Sequence, residues 1–327
     1  MMKKPAFNSL FAQRISAFVA EKKSLGFSYD YAYVILKTFD TLCVEQFPEE
    51  TSLTKELFTV WAKRRKTENG IEQNQTMRVR HSILREFAKY LITTGESAYV
   101  LPTKIVRFGH KPVPYVLSEE EIVAIWSAAD KLKPKYNSPY RHITLPVLFR
   151  VIYCCGLRPQ EIRRLETSDI DLNIGKIFVR ESKGRKDRIV MMSDDVCALC
   201  REYDERINVL LPGRKYFFPH TGDNSMLSQT LFDAFKDLWL KAGFSRENEH
   251  HPTVYSFRHS MATHRLYKWM REGKDLTAML PNLSAYLGHK NLSNTYYYIH
   301  FAPGIFESMS GADYSELEKL IPEVRYE

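Results

Sequence analysis

The residues of this chain that could do chemistry stand in its second half. Positions 287–300 read Leu-Gly-His-Lys-Asn-Leu-Ser-Asn-Thr-Tyr-Tyr-Tyr-Ile-His, so His289 follows a glycine and Tyr296, Tyr297 and Tyr298 come together within the next nine residues. On a helix successive tyrosines turn by about 100°, and only one of them can face a given reacting atom. A phenol is a weak nucleophile, with an unperturbed pKa near ~10, and it attacks where fixed positive charge surrounds its target. Two arginines upstream sit where such charge could be held. In Gly156-Leu157-Arg158-Pro159-Gln160-Glu161-Ile162 the glycine permits a sharp turn and the proline suits the first position of a new helix, which fixes Arg158 at the junction. Arg258 ends the run His250-His251-Pro252-Thr253-Val254-Tyr255-Ser256-Phe257-Arg258, and between the two arginines lies the basic turn Ser182-Lys183-Gly184-Arg185-Lys186.

The histidine after a glycine, with a tyrosine nine residues on, resembles the C-terminal motif of tyrosine recombinases, the phage-integrase family. Arg158, Lys183, Arg258, His289 and Tyr298 follow that family's order over about 140 residues. The resemblance implies that Tyr298 attacks a scissile DNA phosphate, that Arg158, Arg258 and His289 contact it, and that Glu161 supports the site. It also implies that Lys183, at a hairpin tip entering the minor groove, is the general acid, with Lys186 as the competing lysine. The family usually places a histidine three residues before the second arginine, where this chain has Tyr255. A tyrosine can donate a hydrogen bond to a phosphate oxygen, yet it cannot shuttle protons near neutral pH as imidazole does. The departure leaves the acid–base detail open.

The implied activity is site-specific recombination or integration, in which DNA strands are cut and rejoined through a 3′-phosphotyrosine link with no metal, ATP or other cofactor. Two alternatives keep the same architecture: a relative that binds DNA without cutting it, and a type IB topoisomerase-like enzyme. Double-stranded DNA is the implied partner. With it go a homotetramer on paired sites, a monomer or dimer when free, and accessory DNA-bending proteins or a partner recombinase.

Elements that could position these residues are legible in the periodicity. Over residues 7–95 apolar positions recur at helical spacing and predict four helices with no strand. Phe11, Ile15, Phe18 and Val19 mark the first, which Gly26 ends; Ala32, Ile35, Phe39, Leu42 and Cys43 mark the second, closed by Pro48. A third spans about 53–65 behind a Ser/Thr cap, and a fourth about 75–93, with Met77, Leu84, Phe87 and Leu91 inward. Residues 1–95 thus form a helical domain, similar to the family's four-helical core-binding domain. Lys63, Arg64 and Arg65 at the end of its third helix, and Arg78, Arg85 and Lys89 on one face of its fourth, are either a solvated face or phosphate contacts; the resemblance implies the second.

Residues 96–116 read as a linker punctuated by Pro102, Gly109, Pro112 and Pro114, whose Lys104 and Arg107 join Arg185 as further candidate DNA contacts. A catalytic domain over 117–327 opens on the capping-box pattern of Ser118 and Glu121. An apolar helix follows near 145–155, then period-two segments over 169–193 that predict a small antiparallel sheet. Helices are expected near 194–210 and 227–242, and after Arg258 a helix that buries Phe257, Met261 and His264. The fold class is mainly α with a small antiparallel β-sheet, α+β. From about 301 a tail broken at Pro303 and Gly304 carries Leu317, Leu320 and Ile321 on one side, to dock in cis or on a neighbouring protomer.

Composition agrees with an acidic partner without naming one. The 327 residues are 44% hydrophobic, enough for sizeable cores in two domains, and carry a formal net charge of +8. No apolar run is long enough to span a membrane and the first residues lack a signal-like stretch, so a soluble, cytoplasmic protein is expected. The five cysteines fit no disulfide framework; Cys197 and Cys200 form a C-x-x-C inside a helical run with no second ligand pair, and neither they nor His250 and His251 predict a metal site.

Overall fold

The chain divides into two units, Met1–Pro112 and Val113–Glu327, in the computed structural model, which describes residues 6–67, 70–103, 113–182, 186–245 and 251–299. Lys104, Arg107, Lys183, Arg185, His250 and the tail from 301 lie outside the described residues.

The first unit is built where the sequence repeats its aromatic residues at helical spacing. Helices α1 (Ala12–Ser24), α2 (Asp30–Gln46), α3 (Lys55–Ala62) and α4 (Asn74–Thr93) close around Phe11, Phe18, Phe39, Trp61 and Phe87, all essentially inaccessible to solvent. Phe87 touches Phe11, Phe18 and Phe39 with ring centroids 5.5–6.5 Å apart, so α4 is the helix the other two pack upon. Thr54 caps α3 by accepting from the Leu57 amide at 3.3 Å. That helix ends at Ala62, short of the basic run. The run instead enters a hairpin of two-residue strands, β1 (Lys66–Thr67) and β2 (Gly70–Ile71), too short to leave an alternation in the sequence. Leu101 belongs to this core, 4% exposed, and Tyr99 donates its amide to the Leu53 carbonyl at 2.7 Å. The segment just after residue 95, read as linker, is therefore packed as far as Leu101: its apolar residues have an aromatic core to cover.

The second unit begins with α5 (Glu119–Asp130), where Ser118 and Glu121 form the expected capping box. Next comes α6 (Arg141–Cys155), buried along most of its length. It starts a turn earlier than the apolar run, because Arg141 finds Asp237 at 2.9 Å and can be buried. The short α7 (Pro159–Arg163) leads to an antiparallel sheet in the order β3 (Ile170–Asp171), β4 (Lys176–Ser182), β5 (Lys186–Met191). Ile177 pairs with Val190, both fully buried, and fixes which face of the sheet looks inward. Helices α8 (Asp194–Leu210), α9 (Ser228–Lys241), α10 (Val254–Arg271), α11 (Leu276–Leu287) and α12 (Ser293–Ile299) complete the unit.

α11 left no reading in the sequence. Pro281 stands inside it and forfeits one backbone hydrogen bond, while Asp275 holds its start by accepting from the Thr277 amide at 2.8 Å. A satellite core of Met261, Leu266, Leu280, Leu283, Leu287, Tyr298 and Ile299 clamps α10, α11 and α12 together. Cys197 and Cys200 are buried free thiols on α8, and Cys197 donates to the Leu172 carbonyl. Among the described residues no helix is long and apolar enough to cross a membrane, and no cluster of three metal-ligating side chains occurs.

Because Phe87 joins three aromatic neighbours with no exposed surface, Phe87→Ala is expected to cost about 3–5 kcal/mol. Hydrogen exchange resolved by peptide should show α1, α2 and α4 opening faster by ~100-fold or more while α5–α12 keep wild-type rates. A change spread equally over both units would contradict this.

Candidate active site

Two helix ends create the site before any side chain enters it. α6 terminates at Gly156 and α11 at Gly288, each in the left-handed conformation (φ +59° and +66°) that ends a helix and leaves its last carbonyls without amide partners. A Cβ on Gly288 would lie 3.0 Å from the Arg188 side chain, a tight approach at a left-handed φ that itself favours glycine. Arg258, on the first turn of α10 and 3% exposed, donates to both ends at once, to the Gly156 carbonyl and to the Leu287 carbonyl. Arg158, the residue before α7, donates to the Gly288 carbonyl at 2.9 Å. The glycine turns and the arginines thus satisfy one another. Cations at helix C-termini are also favoured by the helix dipoles.

Glu161 on α7 anchors the cluster. Its carboxylate accepts from the Arg158 amide at 2.8 Å and from the Arg158 guanidinium at 2.6 Å, and forms a two-pronged pair with Arg188 of β5 at 2.8 Å for both contacts. Burial alone would push this carboxyl up; hydrogen bonds and charge from Arg188, then the amide and charge of Arg158, outweigh it and hold the pKa at about 2. Arg188 also donates to the Tyr286 carbonyl at 3.0 Å. Arg258 makes no salt bridge among the described residues. Two guanidiniums therefore share the one carboxylate while the third has none, and burial followed by Arg158 brings Arg258 itself down to about 10, still a cation at neutral pH.

His289, just past Gly288, places Nε2 3.2 Å from Arg258 and Nδ1 2.8 Å from the Thr295 hydroxyl. The guanidinium has only protons to offer, so Nε2 accepts and the proton sits on Nδ1. Burial first, then Arg258, Arg158 and Arg188, lower the His289 pKa to about 3 and keep the ring neutral. Tyr298 of α12 is 4% exposed, stacks near His289 at 6.1 Å between centroids, and places its hydroxyl 3.1 Å from Nδ1 of His259. Burial raises the phenol pKa, with Arg258 and Arg158 pulling against it. Tyr296 and Tyr297 are only half-buried.

The structure thus gathers Arg158, Glu161, Arg258, His289 and Tyr298 around one point. It does not bring Tyr255 into that hydrogen-bonded group: 37% exposed, its ring lies beside Phe232 at 6.4 Å. Arg188 and His259 join the cluster although the sequence assigned a role to neither. Arg188 had a signal, since it falls in the same strand phase as buried Val190 and Met192, where a charge needs a partner.

In the first unit, Arg85 is committed to the carbonyls of Leu101 at 2.7 Å and Pro102 at 3.1 Å. Arg64 donates to the Glu72 carbonyl at 2.8 Å, and Arg65 lies over the Trp61 ring at 4.2 Å. Lys63 is exposed, Lys89 is exposed 3.3 Å from Glu86, and Arg78 is half-buried on α4. Arg80, overlooked in the sequence, is buried against Glu72 at 2.8 Å.

A cluster of guanidiniums with a tyrosine hydroxyl beside it stands on helices flanking a three-stranded sheet, the architecture of a tyrosine-recombinase catalytic domain. Residues 115–304 match the phage integrase family, and the chain belongs to that family. It is 32% identical to tyrosine recombinase XerC of Halalkalibacterium halodurans over 67% of this chain and 69% of that protein. Over 90% of this chain and 93% of the other it is 29% identical to y4rE of Sinorhizobium fredii, described as an integrase/recombinase. Its fold is similar to that of XerH site-specific recombinase bound to a palindromic difH substrate (TM-score 0.61, 20% identity, 84% of this chain and 77% of that one). A lambda integrase dimer bound to a COC′ core site gives a TM-score of 0.61 at 15% identity over 88% and 94% of the two chains.

Glu161→Gln removes the shared carboxylate and leaves Arg188 buried without its counter-charge, an expected cost of about 3–5 kcal/mol near pH 7. The folded-state pKa of about 2 lies below the unfolded value of ~4.3. The carboxylate's stabilisation is therefore complete above about pH 5 and lost as pH falls toward 2. Urea unfolding of wild type and variant should differ most at neutral pH and converge in acid; a gap that stays constant would refute the assignment.

Proposed function

We propose that this tyrosine recombinase cuts and rejoins double-stranded DNA at specific sites through a 3′-phosphotyrosine intermediate, in the cytoplasm, with neither metal nor ATP. The observation that carries the reading is the excess of buried guanidinium over carboxylate beside the Tyr298 hydroxyl. Such a site is prepared for an anion, and a phosphodiester is the anion that a tyrosine in this family would attack. Arg158 and Arg258 hold the non-bridging oxygens and stabilise charge as it builds in the transition state. His289, fixed beside them by Arg258 and Thr295, lines the same phosphate position, and Glu161 and Arg188 keep Arg158 in place. Tyr298 attacks phosphorus and the 5′ oxygen leaves, taking a proton from a lysine, Lys183 by family position with Lys186 at the start of β5 as its competitor. The covalent link conserves the energy of the broken phosphodiester, so rejoining needs no further input.

Lys63, Arg64, Arg65, Arg78 and Lys89 on the first unit, with Lys104, Arg107 and Arg185, supply contacts to the DNA backbone, the main source of affinity for a duplex. Arg85 contributes by holding the Leu101–Pro102 segment. Tyr255, exposed at the start of α10, is available to donate to a phosphate oxygen once DNA lies on that surface. Recombination of two sites calls for four active sites and hence a homotetramer on paired DNA, with accessory DNA-bending or partner recombinase proteins and the tail from 301 docking in cis or in trans. A relative named as a tyrosine recombinase, and structural neighbours described as a recombinase bound to a difH substrate and an integrase bound to a core site, support the reading.

A suicide substrate that traps the cleaved strand tests it. Tyr298→Phe should abolish the denaturation-resistant adduct while DNA retention stays within about twofold, because one oxygen and no charge is lost. Arg158→Ala and Arg258→Ala should each slow cleavage by ~100-fold or more. Adduct formation by the phenylalanine variant would move the nucleophile to Tyr297 or Tyr296, and loss of cleavage in EDTA that magnesium restores would end the metal-free mechanism.

Tyr255→His offers a separate check on the position where the family usually has imidazole. Cleavage at the wild-type rate or faster is expected, since the side chain is exposed and free to change; complete loss would mean that the phenol is required.

A further inference from the structure

We propose that His259 is the base that takes the Tyr298 proton during cleavage and gives it back on rejoining. The inference rests on Tyr298 being the nucleophile and adds the group that activates it. Tyr298 cannot attack as a neutral phenol without losing its proton, and nothing in the arginine cradle can accept one, since guanidiniums only donate. His289 is also occupied: Nε2 receives Arg258 and Nδ1–H is given to Thr295. His259 follows Arg258 on α10 and turns Nδ1 to the Tyr298 hydroxyl at 3.1 Å, within reach of direct transfer. Its ring and the phenol lie 5.6 Å apart between centroids at 49°, so the contact is through the edge of the imidazole.

The direction of that hydrogen bond follows from acid strength. A phenol is a much stronger acid than a neutral imidazole N–H, and an imidazole nitrogen is the better acceptor, so the hydroxyl donates to Nδ1. Burial first, and then Arg258, lower the His259 pKa to about 4, which keeps the ring neutral and ready to accept at physiological pH. The charged or titratable groups around it are Arg258 on its own helix, Tyr298 on α12 and His289 from the turn before α12, with Arg158 and Arg188 behind them. Along α10, the next histidine, His264, is engaged by the Tyr153 hydroxyl of α6 at 2.9 Å and faces away from this exchange. An arriving phosphodiester brings negative charge that offsets Arg258 and raises the basicity of His259 when it is needed.

In the forward step the Tyr298 O–H bond breaks, its proton goes to Nδ1, and the oxygen's electron pair forms the bond to phosphorus. The P–O5′ bond breaks and O5′ takes its proton from the separate general acid. Rejoining reverses each move, and the imidazolium returns its proton to the departing phenolate. Nothing is oxidised or reduced.

Single-turnover cleavage by the full-length protein tests the assignment with two substrates, an ordinary suicide duplex and one with sulfur replacing the bridging 5′ oxygen. A thiolate leaves without protonation, so the sulfur substrate relieves a lost general acid and leaves a lost base unrelieved. His259→Ala and His259→Asn should bind DNA as wild type does but form the Tyr298 adduct ~100-fold more slowly or worse on both substrates. The asparagine can accept the hydroxyl's hydrogen bond and cannot hold its proton. Wild-type cleavage should fall as pH drops and His259 becomes protonated; the variants should lack that limb and gain rate with hydroxide. A wild-type rate in either variant, or recovery on the sulfur substrate, would overturn the proposal: the first would show that His259 takes no proton in the reaction, the second would make it an acid. Failure of the wild-type protein to form any adduct at Tyr298 would overturn the nucleophile assignment and this inference together.

Discussion

Arg258 is a buried cation whose partners are the ends of two helices, and the arrangement of the second unit depends on that contact. One guanidinium donates to the carbonyls that end α6 and α11, groups left without amide partners by the helix turns. Removing it would leave the Gly156 and Leu287 carbonyls without that donor. Conversely, an arginine so placed could not be buried unless both helices ended there, in the left-handed turns at Gly156 and Gly288. The satellite core of α10, α11 and α12 supplies the apolar packing that offsets the cost of taking this charge out of water.

The same economy of partners gives the site its electrostatic character. Glu161 is divided between Arg158 and Arg188, and Arg258 is answered by carbonyl dipoles, so positive potential remains where the three side chains converge. Burial first, and then that positive charge, drives protons off the two histidines beside it. His289 and His259 are both neutral, one receiving the guanidinium and the other facing the phenol. The two imidazoles differ in what their ring nitrogens meet, Arg258 and Thr295 for His289 and the Tyr298 hydroxyl for His259.

The first unit shows how basic residues divide between structure and surface. Arg80 is buried and paired with Glu72, and Arg85 ties down the Leu101–Pro102 segment, whereas Lys63 and Lys89 keep exposed ammonium groups. A lysine's flexible stem and strongly hydrated head favour the surface; the arginine fork can satisfy several carbonyls or both oxygens of a carboxylate at once, and so can be used inside. Counting cations along α4 could not separate these uses.

What the sequence determined by itself was whatever is local or periodic. The helices of the first unit, the Ser118–Glu121 cap, the three strands and the turn that mounts Arg158 are written in short-range spacing, and each formed close to where that spacing put it. The order of Arg158, Arg258, His289 and Tyr298 was likewise visible, because the residues stand in recognisable turns. Elements without a local signature were hidden: the two-residue hairpin, too short to alternate, and α11, whose Pro281 interrupts its own pattern. Only tertiary structure could decide which side chains meet. Arg188 reaches Glu161 from another element 27 residues away, and His259 finds Tyr298 across 39. A hydrogen bond between distant positions depends on how three helices pack, and the spacing of residues along one chain carries no record of it.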